Sequence, residues 1–299
     1  MDKLNILPNL FIVGAAKSGT TSLHNYLNQH PDIFMCTPKE PHFLINQEIG
    51  VGRISMGITD FTLYKNLFLQ GTNLKYRGES SVMYLMFPDI VIPKIKKILE
   101  KDTKIIIMLR NPIERAYSGF HHVKRYNVKE DKDFQTAWEI SEERYFKDKK
   151  MTPASRYREL GLYFKQVKSY LQAFRNVHII IYDDFKNDFR NEMNRVFDFL
   201  DVSSIEINSK TRYMSGGWQW EDEYVRKIIL GNKKLISLIK KVVPLKNFRK
   251  FIRKKIQKNK SVKVPKMSLH MQKITKEFYK QDVKKLSVLL ERNLNHWVK

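Results

Sequence analysis

The chain has little cysteine, and its apolar residues never form a long run. Cys36 is the only cysteine among 299 residues, which excludes an intramolecular disulfide and is typical of a reducing compartment. No run approaches the roughly 18 apolar residues that a membrane-spanning helix requires. Glycine (12) and proline (10) are too scarce for a low-complexity chain. We therefore expect a globular, cytoplasmic protein without a transmembrane segment.

The first residues share some features with a secretion signal, but other features do not favour one. Lys3 precedes an apolar stretch, and small residues follow at positions 14–16. However, Pro8 and Asn9 interrupt the apolar stretch, and Lys17 follows it at once. Cleavage there would also remove a predicted strand. We therefore expect no signal peptide.

Acidic residues are also in short supply. The 31 Asp and Glu residues face 55 Lys and Arg residues, giving a formal net charge of +24, which attracts polyanions or anionic surfaces. Residues 227–266 are especially basic. They fit amphipathic helices with solvated lysines, a docking surface for an anionic glycan, or peripheral contact with an anionic membrane. No helix-turn-helix, zinc or aromatic-platform motif indicates a specific nucleic acid partner.

Residues 10–27, LFIVGAAKSGTTSLHNYL, predict a buried strand, a glycine loop and the start of a helix. Such a loop directs its backbone N–H groups and the positive end of the helix dipole toward one point, where an anion binds. The N–H groups that would hold it belong to Ser18, Gly19, Thr20 and Thr21.

The position of Lys17 decides between kinds of phosphate site. In the nucleotide-triphosphatase loop GxxxxGK[ST], lysine follows the second glycine. Here Thr20 occupies that place, which argues against ATP hydrolysis. Asp183 and Asp184 follow a predicted strand over residues 177–182 and imitate a magnesium-binding segment. Because the matching GK[ST] is missing, we expect no metal role for them.

A second phosphate motif follows a predicted buried strand over residues 104–110. Arg110 stands at the end of this strand, where burial without an anionic partner is unfavourable. A phosphate would suit its planar guanidinium. Ser118, two turns along the next predicted helix, can add a hydroxyl to the same phosphate.

Together, GAAKSGTT and RNPIERAYSGF resemble the 5'-phosphosulfate loop and the 3'-phosphate motif of sulfotransferases that use 3'-phosphoadenosine 5'-phosphosulfate (PAPS). The resemblance runs from about residue 10 to the C-terminus and is nearer to the heparan-sulfate and bacterial branch. It implies an α/β fold with a central parallel sheet flanked by helices, a P-loop-type turn and a helical C-terminal part. We predict one domain over residues 1–299, with a core of about 8–205 and a basic helical extension of about 220–299. Apolar periodicity further predicts helices over residues 88–100, 157–174, 192–200 and 269–297.

The resemblance also implies roles for individual residues. Lys17 would neutralise charge on the leaving phosphate, with Lys39 reaching the same region. A late loop containing Lys210 and Arg212 would close over the nucleotide. Glu79, after a predicted strand, is the implied catalytic base, and no metal is required.

Two of these assignments have alternatives. His42 is the rival base, because a histidine ordinarily titrates near ~6.5 and a glutamate near ~4.3. The loop of residues 37–43 that carries Lys39 and His42 also fits a solvated surface turn, and Glu79 also fits a helix cap.

The sequence thus favours sulfuryl transfer from PAPS to a hydroxyl or amine of a glycan, lipid or small metabolite. A P-loop nucleotide kinase or triphosphatase is one alternative, and a non-enzymatic polyanion-binding protein is another. Residues 44–73 and 119–155 are predicted to shape the acceptor pocket.

Overall fold

The computed structural model describes residues 6–54, 57–98, 102–209, 216–231 and 261–299. Its centre is a five-stranded sheet, whose strands are β1 (Leu10–Gly14), β2 (Ile33–Met35), β3 (Tyr76–Ser80), β4 (Lys104–Leu109) and β5 (Val177–Ile181). The strands are all parallel and lie in the order β2-β3-β1-β4-β5. This arrangement confirms the predicted α/β fold with a central parallel sheet.

Helices connect the strands. Those of the first half are α1 (Thr20–Leu27), α2 (Phe43–Asn46), α3 (Phe61–Asn66), α4 (Pro88–Ile98) and α5 (Pro112–Tyr126). Those of the second half are α6 (Phe134–Glu139), α7 (Ser141–Lys147), α8 (Tyr163–Ala173), α9 (Tyr182–Asn187), α10 (Phe189–Leu200), α11 (Glu223–Gly231) and α12 (Leu269–Leu289). Two short antiparallel strands, β6 (Trp218–Trp220) and β7 (Ser261–Lys263), form a separate ribbon.

Alternation along the central strands gives the sheet two apolar faces. In β1, Leu10 and Ile12 join a cluster with residues of α1 and α10, whereas Phe11 and Val13 join a larger cluster with residues of α4, α5, α8 and α12. Successive side chains of a strand point to opposite faces, and helices cover both faces of a parallel sheet. The continuous apolar runs of β1 and β4 are therefore buried on both sides.

The predicted helix over residues 157–174 begins later than expected. α8 starts at Tyr163, and a 3-10 turn occupies Glu159–Gly161. Tyr279 of α12 donates to the backbone carbonyls of Tyr157 and Arg158, both at 3.0 Å. Asp282, also on α12, accepts the Phe164 N–H at 3.2 Å. Side chains of α12 thus form hydrogen bonds with backbone groups that would otherwise pair within a continuous helix over residues 157–174. These contacts explain why α8 begins at Tyr163.

Other boundaries differ less. The predicted strand over residues 177–182 ends at Ile181 because α9 begins at Tyr182, and the predicted helix over 192–200 begins at Phe189, after the cap residue Asp188. The predicted C-terminal helix ends at Leu289, and Asn295–Trp297 forms a 3-10 turn. Val283 and Leu286 of α12 are fully buried, as the periodicity predicts.

The order of the strands places a crevice at one edge of the sheet. The chain passes from β1 outward to β2 and back to β3, and then crosses to β4 and β5 on the other side of β1. At such a switch point the loops after neighbouring strands diverge and leave room for a ligand. The loops after β1 and β4 carry the two predicted phosphate motifs.

The basic stretch of residues 227–266 lies largely outside the described residues, so its three interpretations stay predictions. The domain boundaries given above stay predictions as well. None of the helices in the described part of the chain combines the length and apolarity needed to cross a bilayer.

Candidate active site

A cavity of about 1040 Å³ opens at the carboxyl edge of the sheet. The predicted site residues that line it are Lys17, Gly19, Thr20, Thr21, Lys39, His42, Arg110 and Ser118. They come from three separate loops, from the start of α1 and from α5. The fold therefore brings together residues that are up to about a third of the chain apart in sequence.

The glycine loop joins β1 to α1, and its backbone departs from ordinary conformations. Lys17 has φ 68° and Gly19 has φ 95° as the residue preceding α1. A non-glycine residue in the left-handed region is uncommon and is often found at functional sites. The N–H groups of Thr20 and Thr21 lie in the first turn of α1, where a helix offers them no internal partner. They are free to bind an anion.

Ser18 occupies a different position from its neighbours. It is buried, and its N–H donates to the Ala15 carbonyl at 3.3 Å. This N–H is used within the loop, unlike those of Thr20 and Thr21. The predicted anion site thus rests chiefly on Gly19 and the start of α1.

Lys17 has an environment that disfavours its charge. Burial lowers its pKa to about 8, and the positive charges of Arg125, Arg110 and Lys39 act in the same direction, while Glu40 opposes them. These neighbouring cations repel the protonated Lys17 side chain. A bound dianion would offset this repulsion. The electrostatics of the loop therefore match a phosphate or phosphosulfate ligand.

Arg110 follows β4 directly. Its guanidinium donates to Glu114 at 3.1 and 2.7 Å and to the Lys17 carbonyl at 3.3 Å, and it lies 5.0 Å from the centre of the Tyr182 ring. Ser118 lies two turns further along α5, which Asn111 caps by accepting the Ile113 N–H at 3.0 Å. Both Arg110 and Ser118 face the cavity, as the second phosphate motif predicts.

The loop after β2 brings three ionisable side chains to the cavity. Glu40 accepts from Lys39 Nζ at 2.7 Å through one oxygen, and its other oxygen lies 3.1 Å from His42 Nε2. Burial raises the pKa of Glu40, but the Lys39 ammonium and the His42 ring together hold it below the usual range. Glu40 and His42 also have left-handed backbone, with φ 65° and 51°. These contacts argue against a merely solvated surface turn.

Glu79 lies behind this loop instead of in the cavity. It is the fourth residue of β3, and its side chain is fully buried. Ser81 Oγ donates to one of its oxygens at 2.6 Å, and Tyr64 donates to the other. Burial raises the pKa of Glu79, while the hydrogen bonds from Ser81, Tyr64 and Tyr84 oppose that rise. Since β3 is followed by a 3-10 turn at Tyr84–Met86, Glu79 does not cap an α-helix.

Several cavity residues were missed by the sequence reasoning. His122 and Tyr126 lie one and two turns beyond Ser118 on the same face of α5, so helical spacing from Ser118 could have found them. Glu40, between Lys39 and His42, could have been found in the same loop. Burial lowers the pKa of His122 to about 3, helped by Lys17 and Arg125, so that this ring is neutral.

The far wall of the cavity is formed by loops of the predicted acceptor region. Arg53 donates to the carbonyls of Tyr145 and Met151 at 3.0 and 3.1 Å and lies 4.1 Å from the centre of the Tyr145 ring. It thereby ties the loop around Gly52 to the segment that carries Lys150. Both segments line the cavity.

The remaining site predictions have separate outcomes. Lys210 and Arg212 lie outside the described residues. Asp183 accepts from Trp297 Nε1 at 2.8 Å, and Asp184 pairs with Arg292. Within the described ranges, no group of three or more His, Cys, Asp or Glu side chains has an arrangement that fits a metal ion.

Comparison with known proteins extends this description. A model of the sulfotransferase domain family matches residues 7–287. A solved sulfotransferase from Alicyclobacillus acidocaldarius has a TM-score of 0.73 and 29% identity, covering 98% of this chain and 99% of that one.

Two curated relatives match part of the chain. Membrane-associated sulfotransferase kil1 of Dictyostelium discoideum is 36% identical over 119 residues, 40% of this chain and 24% of the relative. Carbohydrate sulfotransferase 15 of Homo sapiens is 22% identical over 253 residues, 68% of this chain and 45% of the relative. The chain thus spans less than half the length of these relatives. The family match over nearly the whole chain, on this fold and with these two motifs, shows that the protein belongs to the sulfotransferase domain family.

Proposed function

We propose that this protein transfers a sulfuryl group from PAPS to a hydroxyl or amine of an acceptor and releases 3'-phosphoadenosine 5'-phosphate (PAP). The observation that carries this proposal is the convergence of three groups on one cavity: the Lys17 loop, the Arg110 and Ser118 pair, and Glu40. The loop would hold the 5'-phosphosulfate, and Arg110 with Ser118 would hold the 3'-phosphate. Lys210 and Arg212 would close over the nucleotide from the late loop.

In this reaction the acceptor oxygen attacks sulfur in line with the bond to the donor phosphate. A base removes the proton of the acceptor hydroxyl, the new oxygen–sulfur bond forms, and the bond from sulfur to the phosphate oxygen breaks. The leaving phosphate keeps the electron pair, and Lys17 and Lys39 neutralise its charge. This chemistry requires a base on the acceptor side of Lys17.

Glu40 fits the role of base better than Glu79. Glu40 lines the cavity and is partly exposed, whereas Glu79 is fully buried and both of its oxygens accept hydrogen bonds from neighbouring hydroxyls. A general base must come within hydrogen-bonding reach of the proton that it removes. His42, 3.1 Å from the Glu40 carboxylate, would orient it and share the proton. The assignment of Glu79 as base stays a prediction that this geometry does not favour.

For the acceptor we propose an anionic glycan. The side chains lining the cavity include Lys39, Arg53 and Lys150 on the acceptor side, with Glu40 as the single acidic residue among the described lining residues. Carbohydrate sulfotransferase 15 is named for a carbohydrate acceptor, which supports the same class. The net charge of +24 favours a polyanion at the protein surface and also peripheral contact with anionic membranes.

The first experiment measures thermal stabilisation by PAP, with ATP and Mg-ATP as controls. A ligand at 100 times its dissociation constant stabilises the folded state by about 2.7 kcal/mol. PAP at this concentration should stabilise the wild-type protein and the control Lys97→Ala, at an exposed site, to the same extent, and it should stabilise Lys17→Ala and Arg110→Ala much less. Stabilisation by Mg-ATP alone would instead support a nucleotide kinase, and indifference to every nucleotide would support a polyanion-binding protein.

Acceptor identity is tested by sulfate transfer from labelled PAPS. The assay compares a polysaccharide containing uronic acid, a neutral polysaccharide and small alcohols, at two salt concentrations. Preferential labelling of the acidic polysaccharide, weakened by salt, is the expected result. Equal labelling of the neutral polysaccharide would contradict the anionic acceptor while leaving the donor assignment intact.

A further inference from the structure

Glu79 is the centre of a buried hydrogen-bond network next to the cavity. Ser81 Oγ and Tyr64 Oη donate to its two carboxylate oxygens, and Tyr84 is also hydrogen-bonded to it. All four side chains are buried. None of the four is among the described residues that line the cavity. A buried carboxylate with three hydroxyl partners, outside the cavity, needs an explanation other than direct contact with the acceptor.

Two of these hydroxyls continue the network toward the loop that carries Glu40. Ser81 Oγ accepts the backbone N–H of His42 at 3.0 Å, and Tyr84 Oη accepts the backbone N–H of Leu44 at 3.1 Å. A backbone N–H can only donate, so each hydroxyl must accept from the loop and give its own single hydrogen elsewhere. The carboxylate of Glu79 accepts the Ser81 hydrogen at 2.6 Å and is also a hydrogen-bond partner of the Tyr84 hydroxyl. It therefore fixes the direction in which Ser81 donates and leaves the Ser81 oxygen to accept from the loop.

The same strand end holds the loop at a third point. The Glu40 N–H donates to the Ser80 carbonyl at 3.1 Å, and the Ser80 hydroxyl lies 2.9 Å from His24 Nδ1 on α1. The backbone of residues 40–44, which includes the start of α2, is thus bound at position 40 to the end of β3 and at positions 42 and 44 to the residues that follow it. These bonds maintain the left-handed conformations of Glu40 and His42, which are unfavourable without such support.

We propose that Glu79 is a positioning residue, which acts through Ser81 and Tyr84 to fix the loop of residues 40–44 and so holds the Glu40 carboxylate at the reacting hydroxyl. The catalytic role of Glu40 in this inference rests on the proposed function. The restraint on the loop itself follows from the network alone. The two parts can therefore be tested by different measurements.

Substitution of Glu79 by glutamine is the most informative change. Glutamine has nearly the same size, but it replaces one acceptor oxygen with an NH₂ group that donates. A hydroxyl facing that NH₂ loses the acceptor for its own hydrogen, so the network cannot be satisfied in its present directions. Ser81→Ala removes the acceptor for the His42 N–H and leaves the carboxylate in place. Tyr84→Phe does the same for the Leu44 N–H.

The first readout is amide hydrogen exchange of residues 40–44, which does not depend on catalysis. We expect about tenfold faster exchange at His42 in Ser81→Ala and at Leu44 in Tyr84→Phe, because each amide loses its buried acceptor. Glu79→Gln should also raise exchange at His42, because Ser81 Oγ is no longer held by the carboxylate in the orientation that accepts the His42 N–H. Amides of β4 serve as the internal control for global stability. Unchanged exchange at both His42 and Leu44 in folded Glu79→Gln would overturn the proposal.

The second readout is a double-mutant cycle with Glu40→Gln. Misplacing a reacting group by about 1 Å can lower kcat roughly 10²-fold, so Glu79→Gln should have an effect of that size on kcat while PAP affinity is retained. In the Glu40→Gln background the same change should have little further effect, because the positioned group is already absent. An equal loss in both backgrounds would mean that Glu79 acts independently of Glu40, which would overturn the proposal.

The outcomes separate this inference from the proposed function. If the wild-type protein binds no PAP and transfers no sulfate, the proposed function fails, and the exchange measurement still decides whether Glu79 restrains the loop. If Glu79→Gln does not fold, the cycle and the exchange measurement are carried out with Ser81→Ala and Tyr84→Phe. For these variants the same results support or overturn the proposal.

Discussion

Arg110 Nη1 donates a hydrogen bond to the backbone carbonyl of Lys17 at 3.3 Å, and this contact joins the two predicted phosphate motifs of the chain. The two residues are 93 positions apart, but they follow β1 and β4, which are neighbours in the sheet. The guanidinium thus supports the backbone of the loop whose lysine it also repels electrostatically. A nucleotide with two phosphates would supply an anionic partner to the Arg110 guanidinium and another to the Lys17 ammonium.

The first prediction concerns the pH dependence of PAP binding. In the free protein the pKa of Lys17 is lowered to about 8, and a bound phosphate anion would raise it. PAP affinity should therefore be fully present below pH 8 and fall by up to about tenfold per unit above it. Titration calorimetry at pH 7 to 9.5 measures this effect. Lys17→Arg should remove the dependence in this range, and an unchanged dependence would assign it to another group.

Arg110 should select for the 3'-phosphate. Arg110→Met is expected to weaken PAP binding about tenfold to a hundredfold, because hydrogen bonds to a charged group contribute about 1.5 to 3 kcal/mol. Binding of adenosine 5'-phosphate, which lacks the 3'-phosphate, should change little. Arg175→Ala, which removes an exposed arginine away from the cavity, is the control. Equal weakening of both nucleotides would contradict the assignment.

Glu40 should control the rate rather than donor binding. Glu40→Gln is expected to lower kcat by about 10² to 10⁴, the range for loss of general base catalysis, with PAP affinity retained. Because the pKa of Glu40 is held below the usual range, the carboxylate stays ionised in mild acid. The rate should then show no decline between pH 7 and about pH 5. A rate that falls as an ordinary histidine is protonated would favour His42 as the base.

Gly19 should be required for the anion site. A Cβ at this position would lie 3.0 Å from Met108 Cε and 3.1 Å from the Tyr182 ring, and φ is +95°. Gly19→Ala should destabilise the fold by about 1 to 3 kcal/mol and abolish PAP binding. Gly52 has the same φ of +95°, but no atom of the described residues lies within 4 Å of the point that a Cβ would occupy. Gly52→Ala should therefore be destabilised only by backbone strain and should retain PAP binding. Urea denaturation measures the stability of both variants, and titration calorimetry measures their PAP binding.

Glu130 should matter for stability but not directly for chemistry. It is fully buried, and its two oxygens accept hydrogen bonds from the two terminal nitrogens of Arg144, both at 2.9 Å. One of these oxygens also accepts from Tyr157 Oη at 2.5 Å. Glu130→Gln should lower the free energy of unfolding by about 3 kcal/mol, because it leaves a largely buried guanidinium without its counterion. Urea denaturation measures this loss. Glu143→Gln, which disrupts an exposed pair with Lys147, should have no measurable effect.

The residues that line one side of the cavity could be predicted from the sequence because they depend on short stretches of backbone. A buried strand followed by a glycine loop and a helix start specifies the Lys17 loop within residues 10–27, and the Arg110 motif has the same form. Both motifs follow parallel strands, whose carboxyl ends share one edge of the sheet. The α/β fold and the family followed from the same local signals, since apolar periodicity and glycine positions act over short distances.

Tertiary structure decided which of two acidic residues faces the cavity. Glu40 follows β2 and Glu79 lies near the end of β3, and nothing in the local sequence separates their roles. The difference arises because hydroxyls from Tyr64 and Ser81 enclose Glu79, while Lys39 and His42 hold Glu40 at the cavity. Contacts from α12 likewise set the first residue of α8. Such contacts join residues distant in the chain, so no local pattern specifies them, and only the packed fold determines the chemistry of each carboxylate.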